Sequence, residues 1–256
     1  MIDLHCHVLP GIDDGPTTIA DSIALVRAAA AGGTRTMVAT PHVSWHYPND
    51  AATIARLTDE LNERLRREGI AVEILTGAEI AMTRADEIKP EELARLSLGD
   101  GPWLLLEPPF TPIVTGLDGV IVKLQGAGHR VLLAHPERCP AFHRDPSALE
   151  SLVQAGVLTS ITAGSLVGRF GGEVRRFARR LVEQGLVHNV ASDAHNTIKR
   201  PPGMASELAE AGLEALADWL TRAVPHAILR GTEIPVSPAL PVAGKPRLRR
   251  VPWRWR

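Results

Sequence analysis

Two patterns of apolar residues alternate along the chain. Runs of mostly apolar residues predict buried strands at positions 36–40, 71–75, 103–107, 131–135, 158–162 and 187–192. A further run opens the chain and carries His5 and His7. Because side chains alternate across a strand, we expect these two imidazoles on one face of the sheet and Cys6 on the other.

Between the runs, apolar residues recur at intervals of three and four, which predicts helices. Thr18 and Asp21 resemble a capping box for the first helix, which Gly32 and Gly33 end. Further helices are predicted near residues 54–65, 90–96, 113–125, 149–155, 175–183 and 208–224. Strands that alternate with helices favour an α/β fold with a parallel sheet. At this length we expect a closed or nearly closed β/α barrel rather than a doubly wound sheet.

The chain shows no internal linker, so residues 1–232 are predicted to form a single domain. Residues 233–256 are Pro-rich and then basic, and they end in KPRLRRVPWRWR. This composition is typical of a flexible tail. Trp253 and Trp255 stand among arginines, so contact of the tail with a membrane surface or an acidic partner is one hypothesis.

The composition of the chain mainly excludes classes of protein. The formal net charge of the 256 residues is -1, which does not favour a nucleic-acid partner. The 2 cysteines are too few for a disulfide framework. No basic leader with an apolar run and no apolar stretch of membrane-spanning length is visible, so we expect a cytoplasmic protein.

Histidines and acidic residues stand where the predicted strands end. In a β/α barrel the carboxyl ends of the strands converge on one face, where active sites are built. The residues at these positions are His5, His7, Asp13, Asp14, His42, Glu79, Glu107, His135, Asp193 and His195. So many nitrogen and oxygen donors exceed the needs of one tetrahedral ion and suit two or three ions. Such a site can act as a template, Lewis acid and hydroxide source for displacement at phosphorus.

Taken singly, these residues have ordinary explanations. Glu79 or Glu107 could cap a neighbouring helix, and His42 could be a loop histidine. His46 and Tyr47 could shape substrate access or simply belong to a loop. The metal-site hypothesis depends on the joint occurrence of ligand types at nearly every strand end.

Two other groups of residues are less promising. Cys6 is expected to face away from the histidine pair, and no glycine-rich phosphate-binding loop follows Cys139, so we predict no cysteine nucleophile. Four arginines at helical spacing form either a solvated face or, less favoured, a docking face for an anionic partner. They are Arg175, Arg176, Arg179 and Arg180.

The motifs themselves resemble a known family. HxH on the first strand is followed in order by DDGP, TPH, GAE, HPER and SDAHN. This order resembles the PHP (polymerase and histidinol phosphatase) superfamily. DDGP, the stretch TAGSLVGRFG and the SDAHN…RPP ending resemble one branch in particular, the bacterial manganese-dependent protein tyrosine phosphatases of capsule and exopolysaccharide operons. The resemblance runs from Met1 to about residue 230 and does not cover the tail.

The resemblance implies a distorted (β/α)7 TIM-like barrel, the PHP fold, with three divalent metal ions. Manganese is the expected metal, although a site of histidines and carboxylates also accepts zinc or iron. The implied ligands are His5, His7, Asp14, His42, Glu79, Glu107, His135, Asp193 and His195. Arg138 and Arg200 are implied as catalytic, phosphate-binding residues, a role that suits a planar guanidinium that stays charged at any working pH. Without the resemblance, each arginine could equally form a surface salt bridge.

We therefore predict a metal-dependent phosphatase that hydrolyses phosphotyrosine in proteins through a metal-activated hydroxide. The resemblance implies a membrane-associated tyrosine autokinase of polysaccharide export as the substrate, and leaves homo-oligomer formation open. One rival is a phosphoesterase of a small molecule such as histidinol phosphate. A less favoured rival is a non-catalytic metal-binding regulator.

Overall fold

The structure, a computed structural model, describes residues 1–238 of the chain. The basic part of the predicted tail, residues 239–256 with Trp253 and Trp255, lies outside the described residues. Residues 233–238 carry no helix or strand. They nevertheless contact the domain, because Ile234 packs against the core and the indole of Trp219 donates a hydrogen bond to the carbonyl of Pro235.

Nine strand segments form two sheets within the described part of the chain. They are β1 (Ile2–Cys6), β2 (Thr36–Ala39), β3 (His42–Val43), β4 (Glu73–Thr76), β5 (Glu79–Ala81), β6 (Trp103–Glu107), β7 (Arg130–Ala134), β8 (Leu158–Thr162) and β9 (Asn189–Ala191). All ladders are parallel, in the orders β1-β2-β4 and β3-β5-β6-β7-β8-β9. The α/β class predicted from the sequence is confirmed.

Two strands of the arrangement are each divided by one short interruption, and their second segments, β3 and β5, lie beyond the predicted strands at 36–40 and 71–75. Thr40 and Pro41 separate β2 from β3, and Gly77 and Ala78 separate β4 from β5. Proline has no N–H to donate to a ladder, and a Cβ on Gly77 would approach Val38 Cγ1 to 2.7 Å. The pairing keeps its register across both interruptions, since Ala39 faces Thr76 and His42 faces Glu79.

The first and last strands meet at a seam. The amide of Asp193 donates to the carbonyl of His5 at 2.8 Å, and the amide of His7 donates to the carbonyl of Ala194 at 2.9 Å. The buried Asp3 carboxylate accepts hydrogen bonds from the amide and hydroxyl of Ser192 at 3.0 and 2.5 Å. The strands thus form a distorted (β/α)7 arrangement whose ends are joined by side-chain and backbone hydrogen bonds rather than by a regular ladder.

Helices connect the strands. The α-helices are α1 (Ile19–Ala31), α2 (Ala51–Arg67), α3 (Met82–Ala85), α4 (Pro90–Arg95), α5 (Leu117–Gly126), α6 (Pro140–Arg144), α7 (Pro146–Gln154), α8 (Ala163–Leu166), α9 (Gly172–Glu183), α10 (Ala205–Glu210), α11 (Glu214–Asp218) and α12 (Val224–Arg230). Short 3-10 turns span Leu98–Asp100 and Pro136–Arg138, and a π-helical turn spans Trp219–Ala223. The capping box at Thr18 and Asp21 is confirmed.

Two helix predictions were wrong at their boundaries. The helix predicted over 113–125 begins only at Leu117, because Gly116 adopts a φ of 82° that ends the preceding loop. The helix predicted over 208–224 is interrupted, because Gly212 with a φ of 72° follows α10 and separates it from α11. From α11 the chain continues through the π-helical turn to Arg230.

The sheet is apolar inside and polar at one rim. Strands β6 and β7 contribute an uninterrupted row of buried leucines, which is typical of parallel strands covered on both faces. Buried polar side chains gather at the carboxyl ends of the strands instead. Within residues 1–238, none of the helices combines the length and the apolar character that crossing a bilayer requires.

Candidate metal centre

The structure brings all of the predicted metal ligands together at the carboxyl ends of the strands. They form four overlapping groups in which the ligand atoms lie within 4.8 Å of one another. The groups are His7, Asp14, His42 and His195; His5, His7 and Asp193; His5, Glu79 and His135; and His42, Glu79 and Glu107. Because each group shares members with another, the nine side chains make one continuous cluster.

Glu79 lies at the middle of the cluster and is 1% exposed. Its Oε2 lies 3.3 Å from His5 Nε2, 3.2 Å from His7 Nε2 and 3.1 Å from His42 Nδ1. Its Oε1 lies 2.8 Å from His135 Nε2. The register between β3 and β5 causes part of this convergence, since it pairs His42 directly with Glu79. A carboxylate with imidazoles around both oxygens is suited to bridge two cations.

Asp193 joins the histidines to the two predicted arginines. Its Oδ1 lies 3.5 Å from His5 Nε2 and 3.6 Å from His7 Nε2. Its Oδ2 accepts from the guanidinium of Arg138 at 2.7 Å and lies 2.5 Å from the guanidinium of Arg200. One carboxylate therefore faces imidazoles with one oxygen and guanidinium groups with the other.

Backbone strain accompanies this arrangement. Among the described residues, only Asp100, His135 and Asp193 adopt a positive φ without being glycine. The φ values of His135 and Asp193 are 30° and 50°, in a region that costs of order 1–3 kcal/mol for such residues. His135 directly follows β7, and Asp193 lies two residues after β9. Strain of this kind persists where the surrounding structure enforces it, as it does at many active sites.

Asp13 was a candidate residue in the sequence but was not among the ligands that the resemblance implies. Its Oδ2 accepts from His7 Nδ1 at 2.7 Å and from the amide of His42 at 3.1 Å, and its Oδ1 accepts from the amide of Gly15 at 2.9 Å. With Nδ1 occupied in this way, His7 presents Nε2 to the cluster. A carboxylate behind a ligating imidazole commonly fixes its orientation and raises its basicity. The adjacent acids of DDGP were the available signal.

His195 is oriented by the backbone. Its Nδ1 lies 3.0 Å from the carbonyl of Asp193, so Nδ1–H donates there and Nε2 faces Asp14 Oδ1 at 3.2 Å. Arg200 also approaches His195 Nε2, at 2.8 Å. This ring is therefore shared between the cluster and one of the arginines.

The charges in the cluster shift the pKa values of its members. Burial lowers the pKa of His135 to about 4. Burial and the neighbouring Glu79 carboxylate raise the pKa of Glu107 to about 8. Burial opposes the charged form of His7 as well, but the Asp13 and Glu79 carboxylates outweigh it and raise the pKa of that ring to about 10. A bound cation would relieve the repulsion between the Glu79 and Glu107 carboxylates.

Three buried atoms of the cluster lack a hydrogen-bond partner, which bears on whether metal ions fit the site. Glu79 Oε2, Asp193 Oδ1 and His135 Nδ1 are buried and make no hydrogen bond. A buried carboxylate oxygen without a partner is costly unless a cation or hydrogen bond compensates it. In addition, His5 Nε2 and His7 Nε2 face each other at 3.3 Å. Because His7 donates through Nδ1 to Asp13, its Nε2 is the nitrogen that remains for a metal ion. The donor set and these atoms fit divalent metal ions.

The exposed edge of the cluster carries the arginines and several aromatic rings. The side chains of Arg138 and Arg200 are 19% and 23% exposed. Phe110 stacks on His135 with ring centroids 5.3 Å apart, and Phe170 lies 4.4 Å from the guanidinium carbon of Arg138. Tyr47 stacks on His42 at 5.6 Å. Neither phenylalanine was given a role from the sequence, although Phe170 lies in the TAGSLVGRFG stretch that carries the resemblance.

The two cysteines are buried away from this chemistry. Cys6 Sγ donates to the carbonyl of Val38, and Cys139 Sγ donates to the carbonyl of Pro109. Burial raises the pKa of both thiols, which disfavours the thiolate.

The basic face of α9 is not entirely solvated. Arg179 in that face donates a hydrogen bond to the carbonyl of Ala211.

The sequence of the chain is similar to a known protein family. The family model described as capsular polysaccharide synthesis, CpsB/CapC, matches residues 1–216. The chain is 42% identical to the tyrosine-protein phosphatase YwqE of Bacillus subtilis over 201 residues, which cover 78% of this chain and 79% of YwqE. It is 32% identical to the putative tyrosine-protein phosphatase CapC of Staphylococcus aureus over 204 residues, which cover 78% and 79% of the two chains.

Structural comparison agrees with the sequence. A solved chain from the crystal structures of YwqE from Bacillus subtilis and CpsB from Streptococcus pneumoniae, described as unique metal-dependent tyrosine phosphatases, matches with a TM-score of 0.81. The identity is 37%, and the match covers 91% of this chain and 96% of that chain. An amidohydrolase from Mycoplasma synoviae matches with a TM-score of 0.55 at 11% identity, covering 89% and 87% of the chains, and shares the fold alone.

Proposed function

We propose that this chain, which belongs to the CpsB/CapC family of capsular polysaccharide synthesis, is a metal-dependent phosphatase that hydrolyses phosphotyrosine in proteins. The observation that carries the proposal is the position of Asp193 between two kinds of site. Its Oδ1 belongs to a cluster suited to cations, and its Oδ2 holds two guanidinium groups suited to a phosphate.

The cofactor we propose is three divalent metal ions, with manganese as the preferred metal. The ligands would be His5, His7, Asp14, His42, Glu79, Glu107, His135, Asp193 and His195. Four overlapping donor groups and a central carboxylate support more than one ion. Imidazole and carboxylate donors suit manganese and also accept zinc or iron.

The metal ions, when bound, supply Lewis acidity and a water nucleophile that is reactive at neutral pH. The protein positions the substrate. Arg138 and Arg200 each present a planar guanidinium that can bind two phosphate oxygens and stabilise charge that builds up on them. Asp193 Oδ2 holds both guanidinium groups in place, so they are oriented before a substrate arrives.

The buried ligands have a second role. His5, His7 and Glu79 are at most 2% exposed, so this part of the site excludes bulk water. Asp14 is 46% exposed and Glu107 is 16% exposed, which leaves an open side for a bulky substrate.

The leaving group of the proposed reaction is the phenolate of tyrosine. The pKa of its phenol is near 10, so it leaves more readily than an alkoxide and needs less assistance from an acid.

The substrate we propose is a phosphotyrosyl protein, and specifically the membrane-associated tyrosine autokinase of a polysaccharide-export system. The similarity to relatives that are named tyrosine-protein phosphatases supports the first part. Capsular polysaccharide synthesis, the description of the family, supports the second. A cytoplasmic location belongs to the same proposal and agrees with two free, buried cysteines.

The deciding experiment is turnover of a phosphotyrosyl peptide with added Mn²⁺ and with a chelator, alongside elemental analysis of the purified protein. We expect turnover that requires the metal and is abolished in Glu79→Gln, with Glu60→Gln on the exposed face of α2 as the matched control. Faster turnover of histidinol phosphate than of the peptide would favour the small-molecule rival. Metal-loaded protein without turnover of any aryl phosphate would contradict the proposal.

A further inference from the structure

We infer that Phe110 and Phe170 form an aryl subsite beside the metal centre, in which Phe110 contacts the aromatic ring of the substrate and Phe170 positions Arg138. The inference rests on the proposed function, because it assigns the ring-binding residues of that same site. It predicts that the protein selects aryl phosphates over alkyl phosphates by contact with one exposed side chain.

Phe110 is a large apolar side chain that is 47% exposed at the edge of a polar cluster. It follows β6 in a segment with Pro108, Pro109 and Pro112, which limits its backbone freedom. Its ring stacks on His135 at a centroid distance of 5.3 Å and an interplanar angle of 22°. The ring is therefore held at the cluster while part of its surface remains available to a ligand.

Arg138 links this ring to the phosphate-binding groups. Its guanidinium carbon lies 5.1 Å from the centroid of Phe110 and 4.4 Å from that of Phe170. The same guanidinium binds Asp193 Oδ2. A phosphate ester held by Arg138 and Arg200 would place its first substituent beyond the ester oxygen within a few ångströms of these rings. A flat aromatic substituent can stack there, whereas an alkyl chain gains much less.

Phe170 has a different position. It lies in the turn between α8 and α9, flanked by Gly168 and Gly171 with φ values of 88° and 95°. Its ring contacts Arg138 and lies 6.0 Å from the guanidinium carbon of Arg200. A cation above an aromatic face is stabilised by the ring quadrupole. Phe170 therefore acts through the arginines, and its loss should weaken binding of any phosphate.

Glu137 fixes the two segments relative to each other. This buried carboxylate accepts from the amide of Thr162 at 2.9 Å and from the hydroxyl of Ser165 at 2.6 Å. The turn that carries Arg138 is thus tied to the segment that leads to Phe170. The distance between the Arg138 guanidinium and the Phe170 ring is therefore set by the fold and does not depend on a bound ligand.

The test measures binding of phenylphosphonate and methylphosphonate to the Mn²⁺-loaded full-length protein by calorimetry. Wild type should bind phenylphosphonate roughly 10-fold more tightly, the size of one aromatic contact. Phe110→Ala should bring this ratio close to 1. Phe170→Ala should weaken both ligands and leave the ratio near that of wild type. Ile113→Ala, which removes a 70% exposed apolar side chain from the following loop, should keep the wild-type ratio.

The outcomes separate this inference from the proposed function. Wild type without a preference for phenylphosphonate, or Phe110→Ala with an unchanged ratio, would overturn the subsite even if phosphotyrosyl peptides are hydrolysed. A strong preference that Phe110→Ala removes would support the subsite, even if wild type fails to hydrolyse those peptides and the proposed function fails with it. Circular dichroism of each variant shows that a change in ratio is not a folding defect. Phe110→Leu is a second variant, in which the side chain is larger than alanine but is not aromatic.

Discussion

The site has two sides that meet opposite electrostatic demands. The cation side comprises the imidazoles and carboxylates around Glu79, and the anion side comprises Arg138 and Arg200. Three core members of the cation side, His5, His7 and Glu79, are 2%, 0% and 1% exposed, whereas the two arginines are 19% and 23% exposed. A resident ion benefits from rigid, buried donors, whereas a substrate that must enter and leave needs donors that solvent can reach.

Asp193 is the residue whose loss should damage both sides, and it gives the largest expected effect. In Asp193→Asn the amide cannot neutralise two guanidinium groups and binds cations weakly. Truncating one partner of a buried charge pair costs about 3–5 kcal/mol, so we expect kcat/KM on a phosphotyrosyl peptide to fall roughly 10³-fold or more. Metal content, measured on the same sample, should fall as well. Full metal content in an inactive variant would show that Asp193 serves the anion side alone.

The anion side can be weakened separately. Arg200→Lys or Arg138→Lys keeps the charge but loses the planar pair of donors, so we expect kcat/KM to fall roughly 10²-fold. Metal content should stay at the wild-type level, because neither arginine is a ligand type for cations. Arg175→Lys on the exposed face of α9 is the matched control. A parallel loss of metal would mean that the two sides are not separable.

The cation side can be weakened through a residue behind it. Asp13→Ala removes the acceptor of His7 Nδ1–H, and such changes typically cost 10- to 100-fold in metal affinity. We expect Mn²⁺ to bind about 10-fold more weakly by titration, and kcat at saturating Mn²⁺ to recover most of its wild-type value. Asp13→Asn, which keeps an acceptor, should lie between the two. Asp59→Ala, on the exposed face of α2, should behave as wild type.

A partly buried histidine outside both sides, His188, gives the smallest effect. Burial without a carboxylate partner lowers the pKa of His188 to about 4, in contrast to His7. The unfolded chain binds this proton below about pH 6.5 and the folded chain does not, so folding stability is lost as the pH falls from 6.5 to 4. The loss is at most about 1.4 kcal/mol per pH unit.

The measurement for His188 is the free energy of unfolding at several pH values in wild type and His188→Asn. The asparagine oxygen can replace His188 Nδ1 as the acceptor for the amide of Thr159. The acid-side decline should therefore be shallower in the variant, while stability at pH 7.5 stays similar. Identical slopes in the two proteins would contradict the pKa of about 4.

The two sides also differ in how far the sequence predicted them. His5, Glu79 and His135 could be placed together because each stands at a strand end, and parallel strands converge there. The interruptions at Pro41 and Gly77 were not predicted, because a ladder that keeps its register across a gap leaves no periodic signal. Which of Asp13 and Asp14 faces the cluster depends on loop dihedrals that the motif alone does not determine.

The anion side was harder to predict in detail. Arg138 and Arg200 were found through the resemblance, and their shared contact with Asp193 required coordinates. Phe110 and Phe170 lie in loops 60 positions apart, and nothing in the local sequence connects them. The helix boundaries at Leu117 and Gly212 were missed for a related reason, since a glycine with a positive φ precedes α5 and another follows α10, and neither changes the apolar pattern.

The seam between Asp3 and Ser192 has a consequence for the order of folding. These residues are 189 positions apart, and their hydrogen bonds adjoin His5 on one strand and Asp193 on the other. Closing a contact of such large sequence separation costs more loop-closure entropy than closing a local one. A chain still being synthesised therefore has no complete metal cluster until residue 195 is free to fold back on the first strand. The last ligands, Asp193 and His195, thus come into place only when this seam closes, and partly synthesised chains that lack them should be inactive.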